Sequence, residues 1–190
     1  MPPEDRMLFF TPDLYRRYNS PDEDAAIAAD ADWEAAIVRY HEYLTSLREK
    51  ISSQVYELSR LCLHDGVILL RQERQEPVEK LRIDARPLFR EWPNWCGVFT
   101  LVVKLEDTLV TLCYFLCDHA SEKSSEEWQF SRENEHWLYD EVHWHQNEHG
   151  HFTHVILLST GVVLSIPFSA VLVSRFSASP ANAENGKQSA

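Results

Sequence analysis

The chain has 190 residues, 44% hydrophobic and 12% aromatic, which is enough apolar material for a packed domain and too much for wholesale disorder. Its 30 acids against 18 bases leave a formal charge of −12. Such a surface repels nucleic-acid backbones and anionic membranes, and it favours a basic partner.

Residues 1–6 read as an extension ahead of Met7, and "MPPEDRMLFF" lacks the basic and apolar regions of a secretion signal. Ser20-Pro21-Asp22-Glu23 reads as a helix opening, with Ser20 as the cap, Pro21 at the first helical position and Glu23 completing a capping box. From there Ala26, Trp33, Ile37, Tyr40, Leu44, Leu47 and Ile51 recur at three- and four-residue steps. This spacing predicts one long amphipathic helix with a single apolar seam, interrupted at Asp30. A short helix is expected over Ser53–Leu61.

After "LHDG" at 63–66 the pattern turns to strands. They are expected at Val67–Arg71, Val78–Asp84, Val98–Lys104, Leu109–Cys117, Trp137–Gln146, Phe152–Leu158, Val162–Phe168 and Val171–Phe176. Leu105–Thr108 reads as a tight connection, and 118–127 as a polar loop. The predicted fold is α+β: an N-terminal helical segment packed on a mostly antiparallel meander sheet of about seven or eight short strands. It forms a single domain over 7–176, with 177–190 as a disordered tail.

Val155–Ser174 holds twenty residues without a charge, the length of a membrane span. A C-terminal anchor at 155–174 is therefore the minor alternative. Ser159-Thr160-Gly161, Pro167 and the β-branched content favour a buried hairpin instead. The cysteines, Cys62, Cys96, Cys113 and Cys117, form no CxxC. In one strand, Cys113 and Cys117 would stand about 13 Å apart, too far for a disulfide or a shared metal ion. Free thiols in a cytoplasmic protein are expected. The five glycines are scattered, and no phosphate-cradling loop is present.

The densest chemistry is "EVHWHQNEHGHFTH" at 141–154, with five of the nine histidines. A hairpin loop at Asn147–Gly150 would set His143 opposite His154 and His145 opposite Phe152, all on one face, with Trp144 turned to the core. His143, His145 and His154 would then form a triangle fit for zinc or a similar divalent metal. A one-residue change of register would move His154 to the other face. Solvated histidines on a wet hairpin face, and a cluster responsive to pH, are the alternatives. His143-Trp144-His145 followed by Glu148 resembles a cupin metal motif only in outline, because the spacing to Glu148 is short and no histidine follows Pro167. His64-Asp65 reads either as a base oriented by a carboxylate or as plain turn chemistry. Asp140 and Glu141, adjacent in a strand, point to opposite faces, which argues against a catalytic dyad. Trp92 and Trp95 in "EWPNWC" are expected in the core.

Four segments, "LFFTPDLY" (8–15), "LCLHDGVI" (61–68), "WLYDEVH" (137–143) and "FTHVILLSTGVVLSIPF" (152–168), together resemble a family of short bacterial proteins known as a domain of unknown function. The chain is more loosely similar to single-domain immunity proteins of bacterial toxin systems. The resemblance implies a bacterial cytoplasmic α+β domain and brings no activity with it. His64, Asp65, Tyr139, Asp140, Glu141 and His154 match its pattern, whereas His143, His145, His149 and His151 fall outside it. The expected function is a non-enzymatic binding protein, immunity-like, with a basic protein partner and with His64, Asp65, Tyr139 and Glu141 as binding candidates. The rival is a metal-binding protein or metal-dependent enzyme built on the three-histidine hairpin.

Overall fold

The computed structural model describes residues 6–77, 95–124, 134–145 and 151–177. The expected strand Val78–Asp84, Trp92, the loop Asn147–Gly150, residues 1–5 and residues 178–190 lie outside the described residues. Among the described residues, three helices precede seven strands: α1 (Pro12–Tyr18), α2 (Glu23–Leu47), α3 (Ser53–Leu58), β1 (Val67–Pro77), β2 (Trp95–Leu105), β3 (Thr108–Leu116), β4 (Ser121–Ser124), β5 (Trp137–Trp144), β6 (Phe152–Leu158) and β7 (Val162–Ser177). The fold is α+β, as expected.

The helix starts follow from side chains that catch orphan N–H groups. Thr11 Oγ1 caps α1 by accepting from Leu14 N–H, and a proline opens the helix. This seven-residue helix was not expected, because it is too short to show a period. Asp22, not Ser20, caps α2, accepting from the Asp24 and Ala25 N–H groups. Ser20 Oγ instead accepts from Asp22 N–H at 3.2 Å. Asp22 caps as well as serine does and adds its charge to the positive helix end. The buried line of α2 is Ala29, Trp33, Ala36, Tyr40, Leu44 and Leu47. Ile37, expected in that seam, is 43% exposed. The buried line runs through Ala29 and Ala36 and leaves Ile37 to one side.

The strands are antiparallel in the order β1-β2-β3-β7-β6-β5, with β4 pairing β7 beyond the end of β3. β4 lies within the expected polar loop. The two last expected strands are one, β7, whose first part pairs β6 and whose second part pairs β3. Pro167 sits near this exchange of partners, opposite Thr153, where its missing N–H is tolerated. Two tight turns match the reading. Glu106 takes φ 44° between β2 and β3, and Gly161 takes φ 78° between β6 and β7. The charge-free run 155–174 is thus strand rather than helix, and among the described residues no helix is long and apolar enough to cross a membrane.

The ends of this strand path meet at one corner. Val67 bridges His136, with Ile68 N–H donating to Glu135 O and Trp137 N–H to Gly66 O, both at 2.8 Å. The curled sheet encloses an inner core around Leu101, Leu112, Tyr114, Trp137, Ile156, Ile166 and Phe168, to which α3 adds Val55 and Leu58. A second core lies on the other face of β5 and β6. There Met7, Phe10, Leu14, Trp33 and Tyr40 pack on Leu138, Val155 and Leu157. Every residue of β6 is consequently buried. Exposed strand edges are covered by helix side chains. Tyr40 and Tyr43 hydroxyls of α2 accept the Val142 and Trp144 N–H groups of edge strand β5, each at 2.8 Å. Gln54 of α3 accepts Val173 N–H of β7.

Candidate functional site

The hairpin β5–β6 pairs Val142 with His154, His143 with Thr153 and Trp144 with Phe152. This is one residue from the register expected of the sequence. Side chains alternate along a strand, so His154 turns to the inner core while His143 faces the helices. The three-histidine triangle is therefore corrected: His143 and His154 stand on opposite faces of the sheet. His145 shares the outer face, with Nε2 at 2.8 Å from Thr153 Oγ1. Val142 takes the inner position that His143 would have needed, and burial of that valine beside Trp137 favours the observed register. Among the described residues, no group of three His, Cys, Asp or Glu side chains is placed to hold a metal ion.

On the outer face, Glu141 is fully buried. Its carboxylate accepts N–H groups from Leu8 and Phe9 at 2.7 Å and from Phe10 at 2.5 Å. His143 Nε2 lies 2.7 Å from the same carboxylate. Residues 8–10 form no regular structure, so their N–H groups, of which that of Phe10 is buried, have no strand partner. Glu141 supplies the acceptors that a neighbouring strand would have provided. Its place is structural, and it stands apart from the other binding candidates.

On the inner face, His154 Nδ1 lies 2.7 Å from the Tyr114 hydroxyl, and Nε2 lies 2.9 Å from Asp140 Oδ2. Trp137 Nε1–H donates to Asp140 Oδ1 at 2.9 Å. Burial, reinforced by the Asp140 charge, pushes the Tyr114 phenol well above its ordinary range. Tyr114 therefore keeps its proton, and the His154 ring bridges it to Asp140 through its two nitrogens. Every member of this chain has a partner.

A further histidine–carboxylate pair, that of His64, is on the surface. His64 Nδ1 lies 2.9 Å from Asp65 Oδ2 in the turn before β1. Asp65 adopts φ 64°, a left-handed conformation that aspartate tolerates better than most residues, and its N–H donates to Trp137 O. The closing corner of the sheet thus sets this turn beside β5, and the His64 ring lies 4.9 Å from the Tyr139 ring. Tyr139 in turn packs edge-on against Trp33 at 4.4 Å and beside Tyr15 at 5.5 Å. Tyr18, 38% exposed, lies over Trp33 at 5.2 Å. The Tyr139 phenol is pushed up to about 12, chiefly by burial and then by Tyr15, Tyr18 and the Asp65 charge. Burial and the Asp65 charge raise the Tyr15 phenol as well. A carboxylate thus projects at the rim of an aromatic bed in which the Tyr15 and Tyr139 phenols are held neutral.

Three of the four binding candidates, His64, Asp65 and Tyr139, converge at this corner, and Glu141 does not. Tyr18 is the exposed ring at this corner, lying over the buried Trp33 near the buried Tyr15, and the three escaped sequence reasoning as neighbours of Asp65. The two tyrosines lie on the short α1, and Trp33 reads only as a seam residue. No protein-family model matches the chain, and none of the curated proteins searched is similar to it.

Proposed function

We propose that the protein is a non-enzymatic, cytoplasmic interaction protein of the immunity type, which engages a basic segment of a partner protein. The observation that carries this reading is the exposed Asp65 carboxylate, whose charge reaches the Tyr15 and Tyr139 phenols, at a ring cluster in which Tyr18 is exposed over the buried Trp33. A lysine or arginine head can meet a carboxylate there while lying over the face of the Tyr18 ring. His64 holds Asp65 in place, and the charge of −12 steers a basic partner towards the surface.

The test is fluorescence anisotropy with a labelled arginine-rich peptide and an acidic control, in salt rising from about 50 to about 300 mM. The basic peptide is expected to bind, to weaken as salt rises, and to be lost in the double variant Asp65→Asn, Tyr18→Ala. Asparagine also tolerates the left-handed turn, so the fold is retained. Basic peptides that fail to bind, or that bind equally well at both salt concentrations, overturn the proposal.

A further inference from the structure

The outer face of α2 carries an aliphatic line that is left exposed among the described residues. Ile27 is 63% and Val38 55% exposed, and Ala31 between them is exposed too. At about 100° per residue these three fall within about 40° of arc, opposite the buried line of Ala29, Trp33, Ala36 and Tyr40. They span about three turns of helix, some 16 Å. Scattered exposed aliphatics are ordinary, but an aligned row with charged borders marks a contact surface.

The borders are acidic. Asp24 lies on one side of the line, and Asp30 and Glu34 lie on the other, all exposed. Between residues 22 and 38 there are six acids and no lysine, arginine or histidine. A second copy of the chain would bring two such acidic faces together, which charge repulsion opposes. The complementary occupant has an apolar stripe flanked by basic residues.

We infer that the outer face of α2 docks a basic amphipathic helix of a partner protein, its apolar side chains along Ile27, Ala31 and Val38 and its lysines or arginines against Asp24, Asp30 and Glu34. The steps of four and seven residues between the three aliphatics match the seam of a two-helix contact. The inference stands on this face alone and is independent of the aromatic patch at Asp65.

The test uses a synthetic helical peptide with leucines at three- and four-residue spacing and lysines on either side, against a scrambled peptide of the same composition. Binding to the full chain is read by anisotropy, and backbone amide shifts locate it. The amphipathic peptide is expected to bind at least about tenfold more tightly than the scrambled one and to shift the α2 amides. Ile27→Asp and Val38→Asp are each expected to weaken it about tenfold or more, with unchanged melting, because both sites are exposed. Asp65→Asn is expected to leave this affinity unchanged. Equal affinity for both peptides, or ridge variants without effect, overturns the inference while leaving the Asp65 patch standing. A dimer in sedimentation that Val38→Asp dissolves also overturns it, by assigning the ridge to self-association.

Discussion

Two carboxylate–histidine pairs stand back to back on β5, built from consecutive acids. Glu141 faces the helices and meets His143, while Asp140 faces the inner core and meets His154. The same chemistry serves two ends. The outer pair gathers backbone from residues 131 to 133 positions away, tying an irregular N-terminal segment to an edge strand. The inner pair links side chains already fixed by the sheet, Tyr114 on β3 and Trp137 on β5. A buried carboxylate that fastens otherwise orphaned backbone holds more structure than one that completes a side-chain chain.

That contrast sets the order of the effects expected on breaking each pair. Glu141→Leu removes the acceptor of three backbone N–H groups, that of Phe10 buried, and the partner of His143 Nε2. The expected loss is about 4–6 kcal/mol in denaturant unfolding. Glu141→Gln keeps one acceptor oxygen and is expected to lose about half of that. In both variants, hydrogen exchange at Leu8–Phe10 should rise to near-unprotected rates, as the segment is freed from the edge strand. Persisting protection of those amides in Glu141→Leu would refute the tether.

His154→Leu is the matched break on the inner face. It leaves the Tyr114 hydroxyl without its His154 partner and Asp140 with Trp137 as its remaining hydrogen-bond donor among the contacts described. A loss of about 2–4 kcal/mol is expected, with residues 8–10 still protected in the folded state. Loosening of residues 8–10 in this variant would show that the two faces are coupled rather than independent. Tyr114→Phe is gentler, since it removes the hydroxyl and leaves only Nδ1 unpaired, at about 1–1.5 kcal/mol. A double-mutant cycle between Tyr114→Phe and His154→Leu should return a coupling near the full Tyr114→Phe effect, because the hydroxyl bonds the imidazole.

The same two faces show how far the sequence could be read. Phe152–Leu158, the turns at Leu105–Thr108 and Ser159–Gly161, and the long helix were all legible, because alternation, turn residues and period are local properties. The hairpin register was not. It depends on a loop and on a register shift between Trp137 and Tyr139, and one residue of slip exchanges the two faces. Glu141 in a strand gave no sign of the three amides it binds more than 130 residues upstream. The Tyr114–His154 contact needs the placement of β7 between β3 and β6, which no local pattern encodes. His64, Asp65 and Tyr139 were recognisable as chemistry. Their convergence required the closing corner at Val67 and His136.

The mildest change at neutral pH sharpens the comparison at the alkaline end. Tyr139 on the outer face ionises at about 12 in the folded protein, against about 10 in an unfolded chain. A group whose folded value is raised contributes stability that is fully present below its unfolded value and lost as pH climbs through the folded one. The burial of the neutral Tyr139 phenol is therefore stabilising up to about pH 10 and is progressively lost towards about pH 12. Tyr15, Tyr40 and Tyr114 are raised as well, so both faces contribute to the same alkaline decline. Tyr139→Phe is expected to change the melt little at pH 7, to flatten part of the decline above pH 10, and to remove one late step from the absorbance titration at 295 nm. Phenylalanine keeps the ring against Trp33 and cannot ionise. A titration that loses an early step instead, near the ordinary phenol range, would place Tyr139 in solvent and remove it from the bed beside Asp65.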